Sequence, residues 1–163
     1  MTNEQYAVLT DELRNDPLGA GYASMTDAEV AAALNATTRT KVVQRFISLR
    51  AVANVLDDVE YGLLKQALAV AVQQSPRVAD MVGFLEMPCD ASGTTGGIDF
   101  GNETVRAFIC QLCDSLNAGQ TGKAIKQKLL ALAEEPCSRL EELGLNELVN
   151  EHHVASARKM MEA

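Results

Sequence analysis

The sequence has no tryptophan, and aromatic residues make up only 4% of its 163 residues. Because strands favour aromatic and β-branched residues, this composition argues against a β-sandwich and favours packed helices rich in Ala and Leu. The most apolar stretch, residues 63–72, is interrupted by Lys65 and Gln66 and is too short to span a bilayer. No basic segment followed by an apolar run opens the chain, so we expect no signal peptide. The sequence therefore predicts a soluble protein that acts where it is made.

Basic residues are also scarce, with 14 Lys and Arg against 22 Asp and Glu, for a formal net charge of −8. This balance argues against general nucleic-acid binding and against attachment to anionic membranes. The first 35 residues carry six carboxylates and one base, whereas residues 36–50 carry four bases and no acid. The bases of this basic segment are Arg39, Lys41, Arg45 and Arg50. They are expected to face carboxylates of the first two helices, in the same molecule or in a partner.

The length and the 47% hydrophobic content predict one domain with a sizeable core. We expect an all-α fold, a compact orthogonal bundle of about seven to nine mostly short helices. It consists of an N-terminal helical part (1–87), a long Gly-rich loop (88–101) and a C-terminal helical part (102–163).

Apolar spacing and capping signals place the individual helices. Helices are predicted at residues 3–14, 27–34, 49–56, 57–74, from 76 through at least 85, 102–116, 121–134, 138–144 and from about 150. The helix at 57–74 is apolar nearly all round, which predicts a central, buried position. Residues 36–47 fit a helix or an extended segment equally well.

The segment NDPLGAGYASMTDAEVAAALN, residues 15–35, carries the clearest local signals. Asp16 precedes a proline, which ends the first helix. Gly19 and Gly21 permit backbone angles that other residues resist. Thr26 with Glu29 forms a capping box that opens the second helix.

The chain has four cysteines, two of them in a CxxC at Cys110 and Cys113, with Cys89 and Cys137 elsewhere. Thiolates at this spacing can share a zinc ion. The pair falls in the middle of a predicted helix among core residues, however, and cysteine is a common small core residue. Buried free thiols are therefore favoured over a metal site or disulfides.

The remaining motifs give only weak evidence for metal binding, phosphate binding or catalysis. His152 and His153 are adjacent, so on a helix they point in different directions and one metal rarely binds both. SGTTGG at residues 92–97 lacks the Lys-Ser/Thr and the flanking strand and helix of a phosphate-binding loop. No carboxylates are visibly paired in an apolar setting for acid–base work. We expect no enzymatic activity, no cofactor and no metal.

Three stretches occur in an order that resembles a known group of proteins. They are the 15–35 segment, GIDFGNETVRAFICQLCD at residues 97–114, and EEPCSRLEELGL followed by HHVASARKM in the last 30 residues. In this respect the chain is similar to small all-α proteins encoded in the structural-gene modules of tailed bacteriophages and prophages.

The resemblance implies a virion or assembly protein of the tail or the head–tail region, made in the host cytoplasm. It would contact other phage structural proteins and form a homo-oligomer or symmetric assembly, with no nucleic acid or membrane as partner. The residues expected to contact partners are Pro17, Leu18, Tyr22, Arg39, Lys41, Arg45 and Arg50. The alternative is a phage-encoded regulatory or accessory protein that binds a host protein or nucleic acid through the basic segment 39–50.

Overall fold

The computed structural model describes residues 1–87, 96–116 and 118–162. Helices make up 66% of this part, which confirms a mostly-α fold. The nine α-helices of the described residues are α1 (Asn3–Asn15), α2 (Asp27–Asn35), α3 (Leu49–Val55), α4 (Asp58–Gln74), α5 (Pro76–Glu86), α6 (Glu103–Ser115), α7 (Gln120–Ala131), α8 (Arg139–Glu142) and α9 (Glu151–Glu162).

Four short strands accompany the helices: β1 (Arg39–Val42), β2 (Phe46–Ile47), β3 (Ile98–Asp99) and β4 (Glu134–Cys137). β1 pairs with β4, and β2 pairs antiparallel with β3 in the register Phe46–Asp99 and Ile47–Ile98. The ambiguous segment 36–47 is therefore extended where it is regular. The predicted loop 88–101 contains a strand at its end, and Phe100 is buried. Residues 88–95 of that loop lie outside the described part.

The predicted helix boundaries agree closely at the capped ends. Capping boxes open α1 at Thr2, α2 at Thr26, α4 at Asp57 and α8 at Ser138. The largest difference is at α7, predicted to run to residue 134 but ending at Ala131, because the chain then becomes β4. Gly144, with φ +72°, follows α8 in the left-handed conformation that is common just past a helix C-terminus.

The chain divides into two compact units. Unit 1 comprises Met1–Lys41 and Pro136–Ala163, and unit 2 comprises Val42–Glu135. This division differs from the predicted parts 1–87 and 102–163, since unit 1 contains both ends of the chain. Unit 1 contains α1, α2, α8 and α9 around Leu9, Val30, Leu34, Leu140 and Val154.

Unit 2 contains α3 to α7 and the β2–β3 pair. Its core includes Val52, Leu64, Phe100, Ile125 and Leu129. Each unit therefore has its own apolar core, which is the condition for a compact folding unit.

Candidate interaction surfaces

The loop between α1 and the 3₁₀ turn Tyr22–Ser24 is held closed by Asp16. Its two carboxylate oxygens accept hydrogen bonds from the backbone N–H groups of Ala20 and Gly21, both at 2.7 Å. Asp16 adopts a left-handed φ of 39°, and Gly19 and Gly21 have φ of 64° and 81°, as their glycine identity suggested. The loop is consequently fixed by its own side chain.

Pro17 and Leu18, two of the predicted contact residues, lie on the outside of this loop. Both are exposed, Leu18 to 44%. An exposed leucine on a rigid loop can insert into an apolar surface without first being ordered.

Tyr22 is buried, whereas a residue that contacts a partner must be accessible. Its side chain is only 3% exposed in the core of unit 1, and its hydroxyl donates to Oε1 of Glu12 at 3.4 Å. Burial, and next the nearby Glu12 carboxylate, raise the pKa of Tyr22. The assignment of Tyr22 as an accessible contact residue is not supported by this position, because the apolar ring completes the core.

Two arginines hold unit 1 together around this segment. Arg139 binds the buried carboxylate of Glu12. Arg158 donates to the carbonyls of Tyr22 and Met25 and to Oδ1 of Asp27 at 2.7–2.8 Å. Sequence reasoning missed both contacts, because the partners are more than 120 residues apart in the chain.

Three cations of the basic segment, Arg39, Lys41 and Arg45, form ion pairs within their own unit. In unit 1, Nε of Arg39 lies 2.7 Å from Oε2 of Glu142, and Nζ of Lys41 lies 3.2 Å from Oε1 of Glu141. These carboxylates belong to α8, not to the acidic helices α1 and α2 that were expected to face them. Arg39 and Lys41 therefore carry internal ion pairs.

In unit 2, Arg45 caps the end of α7. Its guanidinium donates to the carbonyl of Leu132 at 3.0 Å and forms an ion pair with Glu135. Arg106 does the same from α6, with the carbonyl of Leu130 and the carboxylate of Glu134. Cations are favourable at a helix C-terminus, where carbonyls lack intrahelical partners. Arg45 thus has a structural role.

Arg50 alone of the predicted basic residues is exposed without an ion pair to any described residue. It lies in the first turn of α3. Of the four cations in the basic segment, it is the one whose full charge faces solvent.

The three described cysteines differ in burial. Cys110 and Cys113 lie in α6, half-buried and buried, and Cys137 is buried in β4; all three are free thiols. Burial, and next the neighbouring Cys110, raise the pKa of Cys113 to about 11. Such a thiol is protonated at neutral pH and is a poor nucleophile or metal ligand. Cys89 lies outside the described residues, as does most of SGTTGG.

The two histidines also differ. Nδ1 of His153 accepts the backbone N–H of Asn150 at 3.3 Å, and its ring meets Tyr6 edge-on with the centroids 6.1 Å apart. His152 is exposed beside Glu151. Within the described ranges, no group of three or more His, Cys, Asp or Glu is placed to hold a metal ion.

Helix α4 departs from its predicted central position. Leu64 and Leu68 are buried, but Val59 is 70% exposed and Val70 is 56% exposed. The other elements of unit 2 cover only one side of this helix, so its second apolar side faces out. The exposed residues of α4 are Asp58, Val59, Lys65, Gln66, Ala69, Val70, Gln73 and Gln74, and none of them from Gln66 onward is charged.

A shallow groove of about 340 Å³ runs beside this uncharged face in unit 2. Its apolar walls come from α4 and from the C-terminal end of α6: Leu63, Ala67, Val70, Ala71, Leu112 and Leu116. Three uncharged polar residues, Gln66, Gln74 and Ser115, complete the lining. We call this feature the α4–α6 groove.

The α4–α6 groove is the second candidate contact surface, and sequence reasoning missed it. The signal was present in the all-round apolar pattern of α4, which was interpreted as complete burial within the chain. The helix is instead apolar on a side that the other described residues leave open.

None of the helices in the described ranges is long and apolar enough to cross a membrane. Comparison with protein-family models, curated proteins and solved structures finds no match to this chain.

Proposed function

We propose that this chain is a non-enzymatic structural or assembly component of a tailed-phage virion, in the tail or the head–tail region. It acts through contacts with other phage structural proteins and with further copies of itself. The observation that carries the proposal is the uncharged, partly apolar exposed surface of α4 from Gln66 to Gln74 with the adjoining α4–α6 groove.

A helix at a protein surface normally places charged side chains toward water. On α4 the corresponding positions include Val59 and Val70, both more than half exposed, in a chain whose net charge is −8. Val70 adjoins the apolar walls of the α4–α6 groove, and an accessible apolar surface with a polar rim is typical of protein-interaction sites. The α4 face is thus best explained as a surface that another protein covers.

The resemblance of three stretches to proteins from phage structural-gene modules supports a virion as the place where this contact forms. Those stretches are residues 15–35, 97–114 and parts of the last 30 residues, and the resemblance extends loosely over most of the chain. We propose synthesis in the host cytoplasm followed by incorporation into the particle.

The alternative is an accessory protein that binds a host protein or nucleic acid through residues 39–50. Three of the four cations in that segment already have carboxylate partners within their own unit. A phosphate would have to displace Glu142, Glu141 or Glu135 to bind there. The assembly function is favoured for this reason.

Quantitative mass spectrometry of purified particles, made from the genome that encodes the chain, tests the proposal. We expect the chain at a fixed copy number relative to other virion proteins. Its absence from particles, together with salt-dependent DNA binding by the purified chain, would instead establish the accessory function.

A pair of variants links incorporation to the α4 face. Val70→Asp puts a carboxylate on the groove wall and is expected to reduce the copy number in particles. Ala28→Asp adds the same charge at an exposed position of α2 and is expected to leave it unchanged. Equal incorporation of both variants would remove α4 from the proposal.

A further inference from the structure

We propose that the first turn of α9 is a pH-sensitive element of unit 1, which the neutral side chain of His153 holds closed and its protonation releases. The inference goes beyond the proposed function, because it concerns the response of unit 1 to acid and does not depend on assembly. It rests on the hydrogen bonds that join His153 to Asn150.

His153 and Asn150 bind each other's backbone at the start of α9. Oδ1 of Asn150 accepts the backbone N–H of His153 at 3.1 Å, and Nδ1 of His153 accepts the backbone N–H of Asn150 at 3.3 Å. This is the reciprocal arrangement of a capping box, in which the residue before the helix and the third helical residue bond each other. The side chain in the third position is here an imidazole.

The other capping boxes of the described helices use different acceptors in the third position. They open α1, α2, α4 and α8, and their third-position residues are Gln5, Glu29, Glu60 and Glu141. An amide oxygen and a carboxylate both remain acceptors between about pH 5 and 8, the range over which imidazole titrates. Within the described part of the chain, the box of α9 is therefore the one whose acceptor is lost in that range.

Protonation of His153 removes the acceptor. A neutral imidazole has one nitrogen without a hydrogen, whereas the imidazolium ion has a hydrogen on both. Nδ1–H would then face the backbone N–H of Asn150, so a contact between two donors replaces the hydrogen bond. The new positive charge also lies at a helix N-terminus, where the helix dipole disfavours cations. Both effects destabilise the first turn of α9.

Two of the other boxes show that this hydrogen bond favours the deprotonated acceptor. The backbone N–H of Thr26 is the main cause that lowers the pKa of Glu29. The backbone N–H of Ser138 likewise lowers the pKa of Glu141. A folded state that favours the deprotonated form binds fewer protons than the unfolded chain, so its stability falls as the pH falls. The contribution of the His153 cap is thus present at about pH 8 and lost toward about pH 5.

The groups packed around His153 do not hold it in the charged form. No ion pair joins it to a carboxylate among the described residues of unit 1. From α1 the contact is the ring of Tyr6, which meets the imidazole edge-on with the centroids 6.1 Å apart. From α2 the amide of Asn35, which is uncharged, bonds the backbone N–H and C=O of Val149 just before α9.

The carboxylates near the start of α9 face other groups. Glu147 lies 3.7 Å from the terminal ammonium of Met1, and Glu151 lies 4.0 Å from Nε2 of His152. The charged residues of α1 and α2 are exposed or bonded elsewhere: Glu4, Asp11, Glu12, Arg14, Asp27 and Glu29. The response of the box to pH therefore depends on its own hydrogen bonds.

Loss of the cap should open the first turn and leave the rest of α9 in place. Val154 and Ala157 are fully buried in the core of unit 1, and Arg158 is bonded to the segment before α2. Val149, on the other side, is held by Asn35. The amide of Ala157 is consequently an internal reference for the amide of Asn150.

Two nuclear magnetic resonance measurements on the full-length chain test the proposal. A long-range proton–nitrogen correlation spectrum at about pH 8 shows which imidazole nitrogen carries the hydrogen, and we expect Nε2, because Nδ1 must be free to accept. Hydrogen exchange, expressed as protection factors, then follows the amides to about pH 5. The protection of Asn150 should fall at least about threefold as His153 is protonated, the low end of the effect of a helix cap. That of Ala157 should not change.

Three variants assign the effect to His153. His153→Glu provides an acceptor that stays ionised over this range, so the protection of Asn150 should be retained. His153→Ala removes the acceptor and should show the reduced protection at every pH. His152→Ala removes the exposed neighbouring histidine and should keep the pH dependence of the wild type, which separates the box from the charge of a second imidazolium.

Other outcomes overturn the proposal. A hydrogen on Nδ1 at about pH 8 would mean that this nitrogen accepts nothing. Constant protection of Asn150 in the wild type, or an equal fall in His153→Glu, would show that the box does not respond to pH. Loss of the pH dependence in His152→Ala would assign it to the exposed histidine.

Far-UV circular dichroism checks that the variants are folded. Should His153→Glu or His153→Ala unfold, the hydrogen position and the protection factors of the wild type still decide the question, since neither requires a variant. The particle measurement is separate, so each of the two proposals can fail without the other.

Discussion

Arg139 holds the carboxylate of Glu12 by two hydrogen bonds, from Nε to Oε1 at 2.8 Å and from Nη2 to Oε2 at 2.7 Å. Glu12 is 4% exposed in the core of unit 1. The pair joins α1 to α8, and the hydroxyl of Tyr22 reaches the same carboxylate. A charge buried this far depends on its partner.

Removing that partner should destabilise the fold. We expect Arg139→Met to lower the free energy of unfolding by about 3 kcal/mol, because it leaves the Glu12 carboxylate buried and unpaired. Urea denaturation followed by circular dichroism measures this. The double variant Glu12→Leu/Arg139→Met should recover much of the loss, and Lys123→Met, at an exposed position, should cause none. Wild-type stability of Arg139→Met would show that the pair contributes nothing.

Stability should also fall in acid. The Arg39 guanidinium, and next that of Arg139, hold the pKa of Glu142 below its usual value of 4.5. A carboxylate with a lowered folded pKa stabilises the protein above its unfolded pKa, and this contribution is lost as the pH falls through the folded value. Glu142→Gln should therefore be less stable than the wild type at pH 7, with the difference shrinking below about pH 4.5. Thermal melts across this range provide the measurement, with Glu4→Gln as an exposed control; a constant difference would contradict it.

Variants of Arg45 and Arg50 in unit 2 should distinguish a structural role from a role in partner binding. Arg45→Glu removes the cap on the α7 carbonyls and sets a carboxylate beside Glu135, so we expect a loss of about 1–2 kcal/mol for this half-exposed group. Arg50→Glu should have the free energy of unfolding of the wild type. If Arg50 contacts a partner, this variant should lower the copy number in particles. Denaturation curves and particle counts of the same two variants distinguish these roles. Equal stability of both variants would refute the capping role of Arg45.

Alanine substitutions at two glycines of unit 2 should change the stability in opposite directions. A Cβ at Gly101 would lie 2.3 Å from the carbonyl oxygen of Val43, so a backbone atom rather than a flexible side chain would have to shift. Gly101→Ala should therefore cost about 2 kcal/mol or more. Gly62 lies within α4 with nothing within 4 Å of an added Cβ, so Gly62→Ala should stabilise by about 0.5–1 kcal/mol through helix propensity. Melting temperatures that move in the same direction would contradict this pair.

The CxxC thiols should differ in reactivity. The buried Cys113, whose pKa is raised to about 11, is expected to react with iodoacetamide more slowly than the half-buried Cys110 in the folded protein. Peptide mass spectrometry after timed labelling measures both rates, and Cys110→Ser identifies the remaining signal. Denaturant should abolish the difference. Faster labelling of Cys113 would mean that this part of α6 opens readily.

Local signals in the sequence predicted the helix starts well, because a cap and its partner lie three residues apart. Thr26 with Glu29 forms the expected capping box, and Ser138 with Glu141 forms another at the same spacing. The left-handed glycines at 19 and 21 were predicted for the same reason, since the turn itself requires them. The exposure of Pro17 and Leu18 follows from that turn.

Strand pairing and ion pairs could not be predicted from residues that are neighbours in the sequence. Phe46 pairs with Asp99 across more than 50 residues, so nothing near either residue indicates the strand. Arg45 was predicted to face a partner, yet its carboxylate, Glu135, lies 90 residues away in the same unit. The sequence shows which charges exist but not which of them meet.

The amino-acid sequence by itself determined the helical class, most helix boundaries and the run of uncharged residues from Gln66 to Gln74 in α4. Tertiary structure alone decided that Tyr22 is buried, that three of the four basic-segment cations are internally paired, and that one apolar side of α4 faces out. The physical reason is distance along the chain. Caps and turns depend on neighbours within four residues, whereas burial and charge pairing depend on segments that only folding brings together.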